Sequence, residues 1–154
     1  MRIFVGAALL AVSVGALAGE PVKLQGLKVS GPKATGTCGA ATVSVEGVGP
    51  DFIDYSGRVE VVSGKTKLVL SGEDGTFFQD WNTLACVETP SGAMLVARAS
   101  CGGSSCNPDD FRVVDPKFAA VVSKGTPEDG CSYQCAEKAL GQRLPDGLRP
   151  AYAE

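Results

Sequence analysis

The chain has 154 residues, with 14 Lys plus Arg against 17 Asp plus Glu, six cysteines and no histidine. Without histidine a Ser-His-Asp triad, a Cys-His pair and a His-bearing zinc site are all excluded. A formal charge of −3 with no basic run offers phosphates nothing to condense on, so neither nucleic acid nor an anionic membrane surface is expected as a partner.

Residues 1–18 read as a secretory signal peptide. Met1-Arg2 is a short positive start, Ile3 to Leu17 is an uncharged and mostly apolar run, and Ala16-Leu17-Ala18 has the A-x-A form of a cleavage site. The run is shorter than the roughly 20 residues a helix needs to cross a bilayer. Ala18-Gly19-Glu20 places no cysteine after the cut, so no lipid is expected there. The expected product is exported, periplasmic or secreted, with no integral membrane segment after cleavage. Loss of Arg2 takes its formal charge from −3 to −4. The remainder divides into a β-rich globular domain over 19–141 and an irregular tail over 142–154.

Strands are expected along most of the domain. Val22 to Val29 alternates, with a phase change at Gly26 that a bulge would produce. A Gly/Pro/Thr stretch, Ser30 to Thr37, separates it from a second alternating run in which Ala41, Val43 and Val45 interleave with Thr42, Ser44 and Glu46. In Arg58 to Leu70, Ser63-Gly64 is expected as a two-residue hairpin turn, pairing Val61 with Thr66 and Glu60 with Lys67. A further hairpin joins Asn82–Glu88 to Ala93–Ser100 through Pro90-Ser91-Gly92, read as a three-residue loop with its glycine in the left-handed position. Both strands are apolar on both faces, which predicts a central place in the sheet. Phe111–Val114 and Phe118–Val122, joined by Asp115-Pro116-Lys117, form a third pair.

Helix is expected only at about 131–140, capped by Ser132 or Asp129 and stopped by Gly141. Pro145, Gly147 and Pro150 then forbid regular structure, leaving a covering strap or a disordered end. The expected fold is therefore mainly β: a single-domain antiparallel sheet or sandwich built from hairpins, with one short C-terminal α-helix and disulfide stabilisation.

An even number of cysteines in an exported chain is read first as disulfides. Cys101-Gly-Gly-Ser-Ser-Cys106 and Cys131-Ser-Tyr-Gln-Cys135 can each close locally, which leaves Cys38 with Cys86. The expected bridges are Cys38–Cys86, Cys101–Cys106 and Cys131–Cys135. Zinc held by Cys101, Cys106, Cys131 and Cys135 is the weaker alternative, because C-x4-C and C-x3-C is a loose spacing. Thiol–disulfide exchange is weaker again: neither local pair is C-x-x-C, and no histidine or neighbouring lysine is evident to stabilise a thiolate. No metal and no cofactor are expected.

Carboxylates are the remaining acid–base groups. Asp51/Asp54, Glu73/Asp74, Asp109/Asp110 and Glu128/Asp129 all stand beside Gly or Pro, where turns recruit them for backbone hydrogen bonds. No phosphate loop, dinucleotide fingerprint or Gly-x-Ser-x-Gly occurs. The candidate contact residues are Gly102, Gly103, Ser104 and Ser105, in the stapled loop, and the aromatic group Phe77, Phe78 and Trp81. The expected function is thus non-enzymatic binding of another protein or an envelope component, one form of which is an inhibitor or immunity-type protein against a secreted or cell-wall-active enzyme. The alternative is an envelope enzyme, thiol-disulfide active or a carboxylate-dependent hydrolase.

Overall fold

The computed structural model describes residues 22–46, 58–70, 81–99, 110–124 and 131–150. Residues 1–18, expected as a signal peptide, Phe77, Phe78 and the segment from Cys101 to Cys106 with its expected bridge lie outside these residues.

Among the described residues, ten strands form two five-stranded sheets, and one helix follows them. The inner sheet has the order β1-β7-β8-β9-β10, made of Val22–Lys23, Trp81–Thr89, Gly92–Ala99, Asp110–Asp115 and Ala120–Val121. The outer sheet has the order β2-β3-β4-β5-β6, made of Gln25–Ser30, Lys33–Cys38, Ala41–Glu46, Val59–Ser63 and Thr66–Leu70. All pairings are antiparallel except β1 with β7, where Val22 lies beside Leu84.

Period-two alternation explains how the layers stack. Val43, Val45, Val59, Val61 and Leu70 of the outer sheet pack with Leu84, Leu95, Ala97 and Val114 of the inner sheet. Ala85, Val87, Val96, Phe111 and Val113 point the other way, toward Ala136 and Leu140 of α1, Tyr133–Leu140, and toward Leu144 and Leu148 beyond it. The inner sheet is therefore covered on both faces, which accounts for the continuous apolar character of β7 and β8.

The expected strand at Val22–Val29 is two strands in different sheets, with the chain changing sheets at Leu24. The phase change at Gly26 is a real irregularity, since the β2–β3 register shifts between Gln25 and Lys28. The Ser30–Thr37 stretch, expected as a linker, is largely β3. Its inward residues Ala34, Gly36 and Cys38 are small, so it carries little apolar signal. Gly36 is small for a reason: a Cβ there would stand 2.6 Å from Leu24 Cβ and 3.0 Å from Gln25 O. Gly36→Val is expected to destabilise the fold by about 3 kcal/mol, read as a lowered denaturant midpoint, because neither neighbour is the end of a flexible chain.

The hairpin at 58–70 turns one residue later than expected. Gly64-Lys65 is the loop, pairing Ser63 with Thr66 and Val61 with Leu68. Gly64 has φ 58°, and glycine with positive φ at the first loop position is the pattern of a type II′ turn. The register moves by two, so every side chain keeps its expected face. Glu60 now stands opposite Val69, and Lys67 reaches it diagonally with Nζ 2.7 Å from Oε2. The hydrogen bond from Lys67 holds the Glu60 carboxyl below its ordinary 4.5, with Arg58 adding to the effect. A carboxyl lowered in the folded state contributes stability above its unfolded value and loses it as pH falls through the folded one. Glu60→Gln is expected to flatten the acid limb of the stability profile below about pH 4.5, with a small effect because the Lys67 and Arg58 side chains are half exposed and water screens the pairing.

Two more expectations need correction. The loop of the β7–β8 hairpin is the two residues Pro90-Ser91; Gly92, with φ 115°, already pairs with Thr89. Thr89 Oγ1 accepts from Ser91 N–H and donates to Gly92 O, so the threonine closes the turn. The strand expected at Phe118–Val122 is only Ala120–Val121, because Pro116–Ala119 form the turn and leave Phe118 61% exposed.

Helix α1 starts at Tyr133, with Ser132 as N-cap accepting from Cys135 N–H and Gly141 at the C-cap. Residues 142–150 are a strap over the inner sheet. Glu137 Oε1 accepts from Leu144 N–H at 3.1 Å and pairs with Arg149 at 3.4 Å, and Arg149 lies over the Tyr133 ring. Gln142 donates to Glu88 O at 2.9 Å, fixing the strap to β7.

Candidate functional site

One corner of the inner sheet gathers the attachment points of both candidate contact groups. Trp81 at the start of β7 pairs with Ala99 at the end of β8, and Ala99 pairs with Asp110 at the start of β9. The segment 71–80, which carries Phe77 and Phe78, enters the sheet at the first of these positions. The segment 100–109, which carries Gly102, Gly103, Ser104 and Ser105, leaves from the second and returns at the third. Trp81 is brought into this row by its backbone pairing.

Asp110 makes the corner rigid. It is buried, and its Oδ1 accepts from Cys131 N–H at 2.8 Å and from Arg112 Nη1 at 2.6 Å. Phe111 N–H donates to Cys131 O at 2.9 Å, so the residue preceding the helix cap is sewn to the start of β9, beyond its pairing with β10. A carboxylate engaged by a backbone amide and a guanidinium is a strut, and charge-assisted bonds of this kind are the strong ones. Of the carboxylates considered as acid–base groups, Asp110 is the one among the described residues, and it is occupied in this way; the others lie outside them.

The expected bridges Cys38–Cys86 and Cys131–Cys135 are both formed, with Cα–Cα distances of 5.3 Å each. Closure of Cys131 with Cys135 removes two of the four ligands that the zinc alternative required. Among the described residues, no group of three or more His, Cys, Asp or Glu side chains is placed to hold a metal ion. No described helix is long and apolar enough to cross a membrane.

Among the described residues, two open clefts flank the helical layer. One, of about 290 Å³, lies between β7 and the strap and is lined by Lys23, Glu88, Gln142, Gly147 and Leu148; Cys86 adjoins it, with its side chain against the core between the sheets. The other, of about 380 Å³, is lined by Val122, Lys124, Cys135, Lys138 and Ala139. This second cleft corrects the expectation that no lysine stands near the cysteines. Lys138 is three residues beyond Cys135 on α1, a spacing that places two side chains on one helix face, and Lys124 arrives from the end of the inner sheet. The first of these was readable in the sequence as an i, i+3 pair; the second depends on tertiary packing.

No family model, curated protein or solved structure matches the chain, so its chemistry rests on its own residues.

Proposed function

We propose that this is an exported, non-enzymatic binding protein that captures another protein or an envelope component, in the manner of an inhibitor or immunity-type protein directed at a secreted or cell-wall-active enzyme. The observation that carries the reading is the meeting of Trp81, Ala99 and Asp110 in adjacent strands. Two segments rich in the residues that make contact surfaces, one aromatic and one built of glycine and serine, are thereby attached side by side to a rigid edge. Rigid attachment lowers the entropy lost when such segments bind. Two disulfides in the described residues suit an oxidising compartment, where export would deliver the chain.

The test is affinity capture from envelope extract with the oxidised protein lacking residues 1–18, followed by binding of the retained partner to variants. Ser104→Trp with Ser105→Trp is expected to weaken binding at least tenfold, about 1.4 kcal/mol, with an unchanged melting temperature. Unaltered affinity removes that segment from the site. A retained polysaccharide that is cleaved, with activity lost on substituting Asp109 and Asp110 together, overturns the non-enzymatic reading.

A further inference from the structure

We propose that Cys131–Cys135 is an exchangeable disulfide whose outer sulfur, on Cys135, forms mixed disulfides with anionic thiols seated in the cleft of Val122, Lys124, Lys138 and Ala139. Three observations meet here. The two sulfurs are unequal: Cys131 is 0% exposed within the cluster of Val96, Phe111, Val113 and Leu140, whereas Cys135 is half-buried and lines the cleft. The cleft holds two lysine side chains and, among its described lining, no carboxylate. Its apolar floor, Val122 and Ala139, suits the methylenes of a thiol, and its volume of about 380 Å³ falls in the range of small-molecule sites.

The chemistry balances with an external thiol as the only co-reactant. A thiolate RS⁻ attacks Cys135 Sγ, the bond between Cys135 and Cys131 breaks, and the electron pair leaves on Cys131, which takes a proton from water. A second thiolate attacks the sulfur of the bound R group, forming RSSR and releasing Cys135 as a thiolate. Two thiols are oxidised and one protein disulfide is reduced. Both thiolates of the sequence, the incoming one and the departing Cys135, stand where Lys124 and Lys138 supply positive charge, and positive neighbours favour the thiolate form. Cys131, released into apolar surroundings, is held four residues away by its backbone bonds to Asp110 and Phe111, so it is kept in place to reclose the bridge. The Cys38–Cys86 bridge offers a weaker target: Cys38 is fully buried, and Cys86 turns its side chain to the core between the sheets.

The experiment uses the folded, fully oxidised chain with glutathione and cysteamine at matched thiolate concentration. Trapping with an alkylating reagent is followed by the mass of the tryptic peptide 125–138, which contains Cys131 and Cys135 and none of the other four cysteines. The expected result is labelling of this peptide below the unfolding transition, with glutathione entering about three- to tenfold faster than the ammonium-bearing thiol. Lys124→Gln with Lys138→Gln, followed on its tryptic peptide 118–143, which also contains only Cys131 and Cys135, should abolish that preference and leave the melting temperature in place, and high salt should reduce it. A second variant, Cys131→Ala, leaves Cys135 free and should couple to glutathione disulfide faster with the lysines than without them. A peptide that stays unlabelled until the protein unfolds, or equal rates for the two thiols, overturns the proposal.

Discussion

Replacing Cys38 and Cys86 together by serine is expected to lower stability by about 4 kcal/mol and the melting temperature by about 10–20 °C. The bridge joins residues 48 apart in sequence, and loop-closure entropy makes a long loop the one in which a crosslink restricts the unfolded chain most. It also joins the two sheets directly, from the end of β3 to the middle of β7, with Cys38 fully buried. The contact between sheets is otherwise apolar and made largely by valine, alanine and leucine side chains. Two serines in its place leave hydroxyls in a site with little to bond to, which adds to the entropic loss. Thermal unfolding followed by far-ultraviolet circular dichroism checks the value. A shift of less than about 3 °C, under 1 kcal/mol, would mean that packing alone holds the layers together.

Phe111→Ala should be comparably damaging, at about 3–5 kcal/mol. Among the described residues Phe111 is the largest fully buried side chain, on the face of β9 that meets α1 and the strap, and its backbone amide bonds Cys131. Truncation opens a cavity between helix and inner sheet and leaves the core between the sheets untouched. The loss should therefore be uneven: hydrogen exchange over Tyr133–Leu140 is expected to accelerate more than over Ala41–Glu46, which lies in the other layer. Equal acceleration of both segments would contradict two separate cores on the two faces of one sheet.

The parts of this fold that the sequence made legible are those whose signal is local. Alternation located β4 and the 58–70 hairpin, turn residues located the β7–β8 pair, and helix formers with Ser132 and Gly141 located α1. What escaped is set by contacts between distant residues. β3 is built of small residues because Leu24 crosses over Gly36, and that need is invisible within Lys33–Cys38 itself. The split of Val22–Val29 between two sheets follows from the pairing of Val22 with Leu84, 62 residues away. The Gly64 turn was displaced by one residue because a glycine fits either loop position by composition, and only its sign of φ with the next residue's decides between them.

The candidate site divides in the same way. Pairing of Trp81 with Ala99 follows from a hairpin that turn chemistry announces, whereas the adjacency of Asp110 needs the β8–β9 register. Asp110 itself resembles any turn carboxylate in sequence. Its bond from Arg112 is local, two residues along β9, whereas its role as the acceptor for Cys131 N–H appears only when the chain brings residues 21 apart together. Lys124 and Cys135 likewise meet across the layer boundary between sheet and helix.

The most direct measurement is hydrogen exchange of the oxidised protein with and without its captured partner. Protection is predicted in peptides that begin or end at Trp81, Ala99 and Asp110, where the two contact segments attach. Protection confined to the tight turns at Gly64-Lys65 and Pro90-Ser91, with none at that corner, would contradict the placement of the binding surface.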